Sequence, residues 1–197
     1  QKTAYELSLG LVGSEMCIRD REWTMKRAAR IVKKAGGRPA AWEVAGRGKN
    51  GGIGHDAVIF SWSGKEPGLK AVKDGYEVVM CPAQHVYFDM AHTDGYHEKG
   101  LNWAANISMM DALCWDPVPE NESELEMRII GIQGELWSET VMEDKDMEPL
   151  LAPRILALSE VAWADTKRKR EFKEFIGAAE YFGKIFQKFN WNSHELV

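Results

Sequence analysis

The sequence predicts an α/β protein with a parallel sheet, on three observations. Apolar runs at residues 57–62, 77–82 and 129–132 have the length of buried strands. Between the first two lies a short helical stretch around residues 69–73, closed by Gly75, so the order is strand, helix, strand with connections of the right length for βαβ units. Residues 167–189 carry Phe172, Phe175, Ile176, Ala179, Phe182, Ile185, Phe186 and Phe189 at i, i+3, i+4 spacing, which predicts a long amphipathic C-terminal helix. At 45% hydrophobic over 197 residues, the chain can bury one core.

Taken in order, residues 22–34 set Trp23, Ala28, Ile31 and Val32 among Lys and Arg, the spacing of a helix with a basic outer face, and Gly36-Gly37 ends it. Residues 38–44 run toward a strand end at Trp42. A loop at residues 46–54 follows, whose five glycines permit turns but no packed element. It lacks the Gly-Lys-Ser/Thr ending and the following helix of a phosphate-cradling loop. Residues 57–62 and 77–82 are the next strands. Residues 85–90 then lead into a polar loop at 92–99 and on to Leu101-Asn102-Trp103. After Pro117-Val118-Pro119 an acidic linker precedes the last strand at Ile129. Continued through Glu139, that strand would point Trp137 and Glu139 to one side. An acidic connection then reaches Pro153-Arg154 and a buried helix at residues 156–163. The run Lys167-Arg168-Lys169-Arg170 reads as a solvated helix start.

Composition narrows the function. A net charge of −5 and a pI near 5.6 argue against a general nucleic-acid binder, and no apolar run is long enough to span a membrane as a helix. Residues 1–21 are expected to be non-native. Leu-Val-Gly-Ser-Glu-Met-Cys-Ile-Arg-Asp, residues 11–20, back-translates codon by codon into a transposase-type sequencing adapter, and residues 1–6 into the primer that precedes it. Leu7 departs from that primer by a base. Without this segment, which holds Lys2, Arg19 and Arg21 against Glu6, Glu15 and Asp20, the net charge is unchanged. Cys81 and Cys114 remain, too few for a disulfide framework or a thiolate metal site. The adapter reading also hides the true start, so a signal peptide is neither shown nor excluded.

The chemistry concentrates at the predicted strand ends, where Trp42, Trp62, Tyr87 and Trp137 mark four exits and Trp103 stands nearby. Aromatic faces beside a few carboxylates suit a sugar, whose C–H face stacks on a ring while its hydroxyls donate to acids. Trp23, Trp115 and Trp163 read instead as core or interface packing. His85 and His92 with Asp89 could be drawn as a metal cluster, or His92 with Asp94 as part of a triad. The donor mix is loose and no nucleophile elbow accompanies them, so they read as solvated loop histidines and no cofactor is implied.

The segment Gly-Ile-Gln-Gly-Glu-Leu-Trp-Ser-Glu-Thr, residues 131–140, and the helix Pro-Arg-Ile-Leu-Ala-Leu-Ser-Glu-Val-Ala-Trp, residues 153–163, resemble the end of the catalytic barrel in glycoside hydrolase family 20, in particular its chitobiase-type β-N-acetylhexosaminidases. The resemblance implies that residues 22–165 are the C-terminal half, about four β/α units, of a TIM (β/α)8 barrel, with a C-terminal helix and tail at 166–197. It implies that Trp42 and Trp62 wall a pocket for the N-acetyl group and pyranose, with Trp137 as its floor. Tyr87 would bond the acetamido carbonyl, Asp89 and Glu139 would take sugar hydroxyls, and Trp103 would stack the next sugar. The family hydrolyses terminal β-linked N-acetylglucosamine or N-acetylgalactosamine with retention, the substrate's own acetamido oxygen attacking the anomeric carbon. An adjacent Asp-Glu pair serves that chemistry, and it is expected upstream of Glu22. The family gives the Glu43 position no acid role and Glu139 a binding one, so neither is taken as the acid. The missing N-terminal half of the barrel is the implied partner, an amino-sugar oligosaccharide or glycoconjugate the substrate, and an extracellular, periplasmic or lysosomal location the family's expectation. The alternatives are a non-catalytic carbohydrate-binding barrel and a generic α/β protein without a sugar site.

Overall fold

The structure is a computed structural model that describes residues 20–48, 51–118, 120–165 and 171–195. Its centre is a four-stranded sheet in the order β1 (Ala40–Trp42), β2 (Val58–Ser61), β3 (Glu77–Met80) and β4 (Ile129–Ile132), every pairing parallel. Parallel neighbours need crossovers. One is supplied by α2 (Lys65–Lys73), whose apolar residues Leu69 and Val72 are buried. Gly68 lies so close to β3 that a Cβ there would come within 2.4 Å of Met80 Sδ, so a side chain at this position would force Met80 to move.

A helix over residues 20–34, α1, precedes the sheet. One core cluster holds Ala29 of α1 with Ile59, Val72, Val78 and Met80. A second lies past the strands' C-terminal ends and joins Tyr87, Met90, Ile107 and Ala157 to Phe175 and Ala179 of the last helix, α7 (Phe172–Lys188). Between β3 and β4 stand a single turn, α3 (Ala83–Val86), and a short helix, α4 (Met109–Leu113). The chain then continues through α5 (Asp144–Leu151) and α6 (Arg154–Trp163).

Several expectations need correction. The strand at Ile129 stops at Ile132, because beyond it only Glu135 pairs, in a lone bridge to Tyr87, so a strand period does not orient Glu139. Ile130 is half exposed, since β4 has a strand neighbour on one side only. The acidic connection after Glu139 folds as α5. Helix α6 buries one face, through Arg154 and Ala157, while Trp163 is 89% exposed. Trp23 is also exposed, under the guanidinium of Arg27 at 5.4 Å, so neither tryptophan packs in this chain's own core. The glycine loop does pack: Ile53 is buried and donates to Ala45 O, and Gly52, at φ +47°, sits where a Cβ would meet two carbonyls. The basic run at residues 167–170 and most of residues 1–21 lie outside the described residues.

Candidate active site

The five aromatic residues singled out in the sequence form one continuous arc. Trp42 ends β1, and its ring centroid lies 6.3 Å from that of Trp137 on the extended segment after β4. Trp137 lies 6.4 Å from Tyr87, Tyr87 lies 6.0 Å edge-on from Trp103, and Trp103 lies 6.0 Å edge-on from Trp62, which directly follows β2. Tilted and edge-on pairs of this spacing are the favoured arrangement of aromatic quadrupoles. Tyr87 is buried, Trp42 and Trp62 are half-buried, and Trp103 and Trp137 are about half exposed. The arc therefore has a fixed, buried middle and open indole faces on both sides of it.

Backbone bonds explain how loops hold such positions. Phe88 N–H donates to Glu135 O (2.7 Å) and Glu135 N–H to Val86 O (2.9 Å), which stitches the Tyr87 segment to that of Trp137. Leu101 N–H donates to Asp89 O and Ala91 N–H to Leu101 O, which returns the polar loop and presents Trp103. Gly100 makes that return possible: it has φ +121°, and a Cβ would come within 2.5 Å of Ala91 N.

The acids divide by burial. Asp89 is 1% exposed, and among the described residues its Oδ1 has no hydrogen-bond partner. Burial pushes its carboxyl above the usual carboxylate range. The N–H groups of Asp89 and Trp137 hold it back, the charge of Glu139 adds to the rise, and Arg154 opposes it. Glu139 is exposed and near enough for Asp89 to feel its charge. Burial also raises the Tyr87 hydroxyl, so it stays protonated, while Trp137 bonds to its oxygen and leaves the proton free to donate onward. Cys81 is pushed up to about 12 by burial and offers no thiolate.

Glu43 is buried and saturated. It accepts from Ser61 Oγ at 2.7 Å, from Ser63 Oγ, from Ser63 N–H at 3.4 Å and from Arg47 Nη2 at 2.5 Å. A carboxylate so engaged ties the end of β1 to the end of β2. His92 is not solvated, as expected of a loop histidine, but buried, stacked at 3.8 Å on His194 and bonded to Pro149 O. His85 lies on α3, stacks on Trp115 at 5.4 Å and bonds to Asp111 O at 2.8 Å.

One residue of the site region escaped the sequence reading. Arg154 is fully buried and gives every guanidinium N–H to a main-chain carbonyl, including those of Phe88 and Met90. A signal was present: a cation in the first turn of an otherwise apolar helix opposes the helix dipole, so its reason must be tertiary.

A family model described as "Glycosyl hydrolase family 20, catalytic domain" matches residues 14–166. The match opens inside the segment 1–21 that was expected to be non-native. A β-hexosaminidase of Vibrio furnissii is 33% identical over 138 residues, which are 68% of this chain and 22% of that protein. A β-N-acetylhexosaminidase of Cellulomonas fimi is 28% identical over 176 residues, 86% of this chain and 34% of that protein. The crystal structure of the Vibrio harveyi family 20 exo-β-N-acetylglucosaminidase in complex with N-acetylglucosamine superposes with a TM-score of 0.82 at 27% identity, covering 89% of this chain and 27% of that one. The chain thus spans about a seventh to a third of the length of the curated relatives it matches. Its parallel α/β fold is that of these barrel enzymes, and with the family model matched over most of its length the chain belongs to glycosyl hydrolase family 20.

Proposed function

We propose that the chain is the C-terminal half of the (β/α)8 catalytic barrel of an exo-acting β-N-acetylhexosaminidase, with native sequence from about residue 22 and a C-terminal helix beyond 165 that covers the loops. The whole enzyme would hydrolyse terminal β-linked N-acetylglucosamine or N-acetylgalactosamine. The observation that carries this reading is the arc Trp42–Trp137–Tyr87–Trp103–Trp62 together with the buried Asp89 Oδ1, which has no hydrogen-bond partner among the described residues. Open indole faces accept the apolar face of a pyranose, and a buried acceptor without a donor suits a sugar hydroxyl. A non-catalytic binder would use the same arc, but the family's enzymes favour hydrolysis.

In this reading the substrate's acetamido oxygen bonds to the anomeric carbon while the aglycone oxygen leaves with a proton from the upstream Glu. The Tyr87 hydroxyl, held protonated by burial, donates to the acetamido oxygen and keeps it in line for attack. Asp89 and Glu139 hold ring hydroxyls, Trp42 and Trp62 enclose the acetamido group and ring above Trp137, and Trp103 stacks the next sugar.

The test is Tyr87→Phe in the full-length enzyme. It keeps the ring packing and removes the donor, so kcat should fall by ~10²–10³ with folding intact. A kcat within about twofold of wild type on a chromogenic N-acetylglucosaminide would remove Tyr87 from the mechanism. Residues 22–197 alone should show no turnover above background and should associate with the missing half of the barrel, because β1 and β4 leave unpaired edges.

A further inference from the structure

We propose that Arg154 is the positioning residue of the Asp89 carboxylate, fixing the peptides on both sides of it. The inference rests on the hexosaminidase reading for the use made of Asp89. Its geometric basis is independent of that reading.

Arg154 is 0% exposed. Its Nε and Nη2 donate to Leu150 O at 3.1 and 2.7 Å. Nη2 also donates to Phe88 O at 2.7 Å, and Nη1 to Met90 O and Ile107 O at 2.9 Å each. Five N–H groups meet four carbonyls, and none is left for a carboxylate. The guanidinium carbon also lies 5.5 Å from the Phe88 ring centroid.

Two of the four carbonyls, Phe88 O and Met90 O, bracket Asp89. In a trans peptide C=O and N–H point opposite ways. Holding Phe88 O on Arg154 therefore aims the Asp89 N–H away from Arg154, and that N–H is one of the groups supporting the Asp89 carboxylate. Leu101 N–H occupies Asp89 O, and Glu135 O takes the Phe88 N–H, so the guanidinium completes a frame that leaves the aspartate's main chain one orientation.

The charge has its own use. Carbonyls alone do not require a cation, which is costly to desolvate. The charge of the buried guanidinium is supported by Glu98 first and by Asp89 second, and Arg154 in turn opposes the rise that burial imposes on the Asp89 carboxyl. The same guanidinium draws Leu150, at the end of α5, and Ile107, before α4, onto the Asp89 segment. Asp89 is thereby tied to the α5–α6 junction.

A double-variant cycle in the full-length enzyme tests this, with Arg154→Lys, Arg154→Met, Asp89→Asn and the combinations, each read for KM, kcat and Tm. Arg154→Lys keeps the charge but cannot span the carbonyls. It should raise KM for a chromogenic N-acetylglucosaminide by about tenfold, the size of one hydrogen bond to a charged group, with a smaller change in kcat. In the Asp89→Asn background the same change should move KM by less than about twofold, because the group being positioned has lost its charge. A staple with no role toward Asp89 would lower Tm and leave the KM of the folded fraction unchanged, or give independent effects that multiply in the double variant; either outcome overturns the proposal. Arg154→Met strands four carbonyls and is expected to destabilise the protein whatever stands at position 89, so the Arg154→Lys and Asp89→Asn cycle decides. Absence of turnover by the wild type would count against the hexosaminidase reading alone, since the Tm cycle still measures the coupling.

Discussion

Glu43 offers a quantitative test of what a buried acid is for. Its side chain is 2% exposed and meets two serine hydroxyls, one main-chain N–H and Arg47, which is itself 59% exposed. Glu43→Gln preserves volume and removes the charge. A hydrogen bond to a charged group stabilises by about 1.5–3 kcal/mol and a neutral one by about 0.5–1.5, so the two hydroxyl bonds lose roughly 1 kcal/mol each. The exposed Arg47 pair contributes at most about 1 kcal/mol, and the 3.4 Å N–H contact adds little. Ser61 and Ser63 can turn their hydroxyls to accept from the new amide, which caps the loss. The expected cost is therefore about 2–3 kcal/mol, or a fall in Tm of roughly 4–12 °C for a domain of about 150–250 residues. Denaturant unfolding of the full-length protein measures it, and turnover should be assayed on the folded fraction in parallel. The structure expects lower stability with kcat within a few-fold of wild type. Unchanged stability together with a loss of turnover beyond about a hundredfold would mean that Glu43 acts on substrate and that its hydrogen bonds have been misread.

Other outcomes follow from the same contacts. Burial, then the charges of Arg154 and His194, drive His92 down to about 3, so it stays neutral in the fold while the unfolded chain takes up a proton below about 6.5. Between those values the unfolded state binds the extra proton. The His92 contribution is thus complete above about pH 6.5 and lost as pH falls, and His92→Gln should flatten the stability–pH slope there by up to ~1 kcal/mol per unit, read by urea unfolding across pH. Gly134→Ala places a Cβ 2.7 Å from the Phe88 ring and 2.8 Å from Leu158 and should cost about 1–3 kcal/mol by overpacking, unlike Gly131→Ala, which meets nothing within 4 Å. Trp103→Ala, at a half-exposed ring, should leave Tm nearly unchanged and raise KM about two- to tenfold for a two-sugar substrate, with equal KM values counting against its stacking role.

The fold was legible where local pattern and tertiary environment agree. Strand β2 is buried along most of its length and β3 is buried on one face and half-buried on the other, as inner strands of a parallel sheet, so their apolar runs announced them. Trp42 and Trp62 fell at strand ends for the same reason. The segment after Ile132 misled because its residues make single bridges and loop bonds in place of a ladder, and a period-of-two pattern cannot distinguish the two. Helix α4 was missed although Ser108 and Asp111 form a capping box, a signal that lies in the sequence as Ser-x-x-Asp. The environment of His92 was not legible, because its partner His194 lies far along the chain and nothing local marks the pairing.

Two buried charges hold the platform, and their placement explains how loops present a precise arc. At the β1–β2 end an anion, Glu43, collects hydroxyls and an N–H. At the β3–α6 end a cation, Arg154, collects carbonyls. The polarity follows from what each loop has to offer. At the end of β2 the serines at 61 and 63 present donors, which only an acceptor can gather, whereas the turn at Phe88–Ala91 already gives the N–H groups of Phe88, Met90 and Ala91 to Glu135, Tyr87 and Leu101 and has surplus carbonyls, which only a donor can gather. Five N–H groups on a planar fork satisfy more carbonyls than any other side chain could. A lysine there would leave carbonyls bare, and an apolar residue would leave all four, at ~1–3 kcal/mol for each group stranded away from water. Each charge thus answers a shortage created by the loop it holds, and the aromatic rings between Trp42 and Tyr87 inherit their spacing from two anchors that packing alone would not supply.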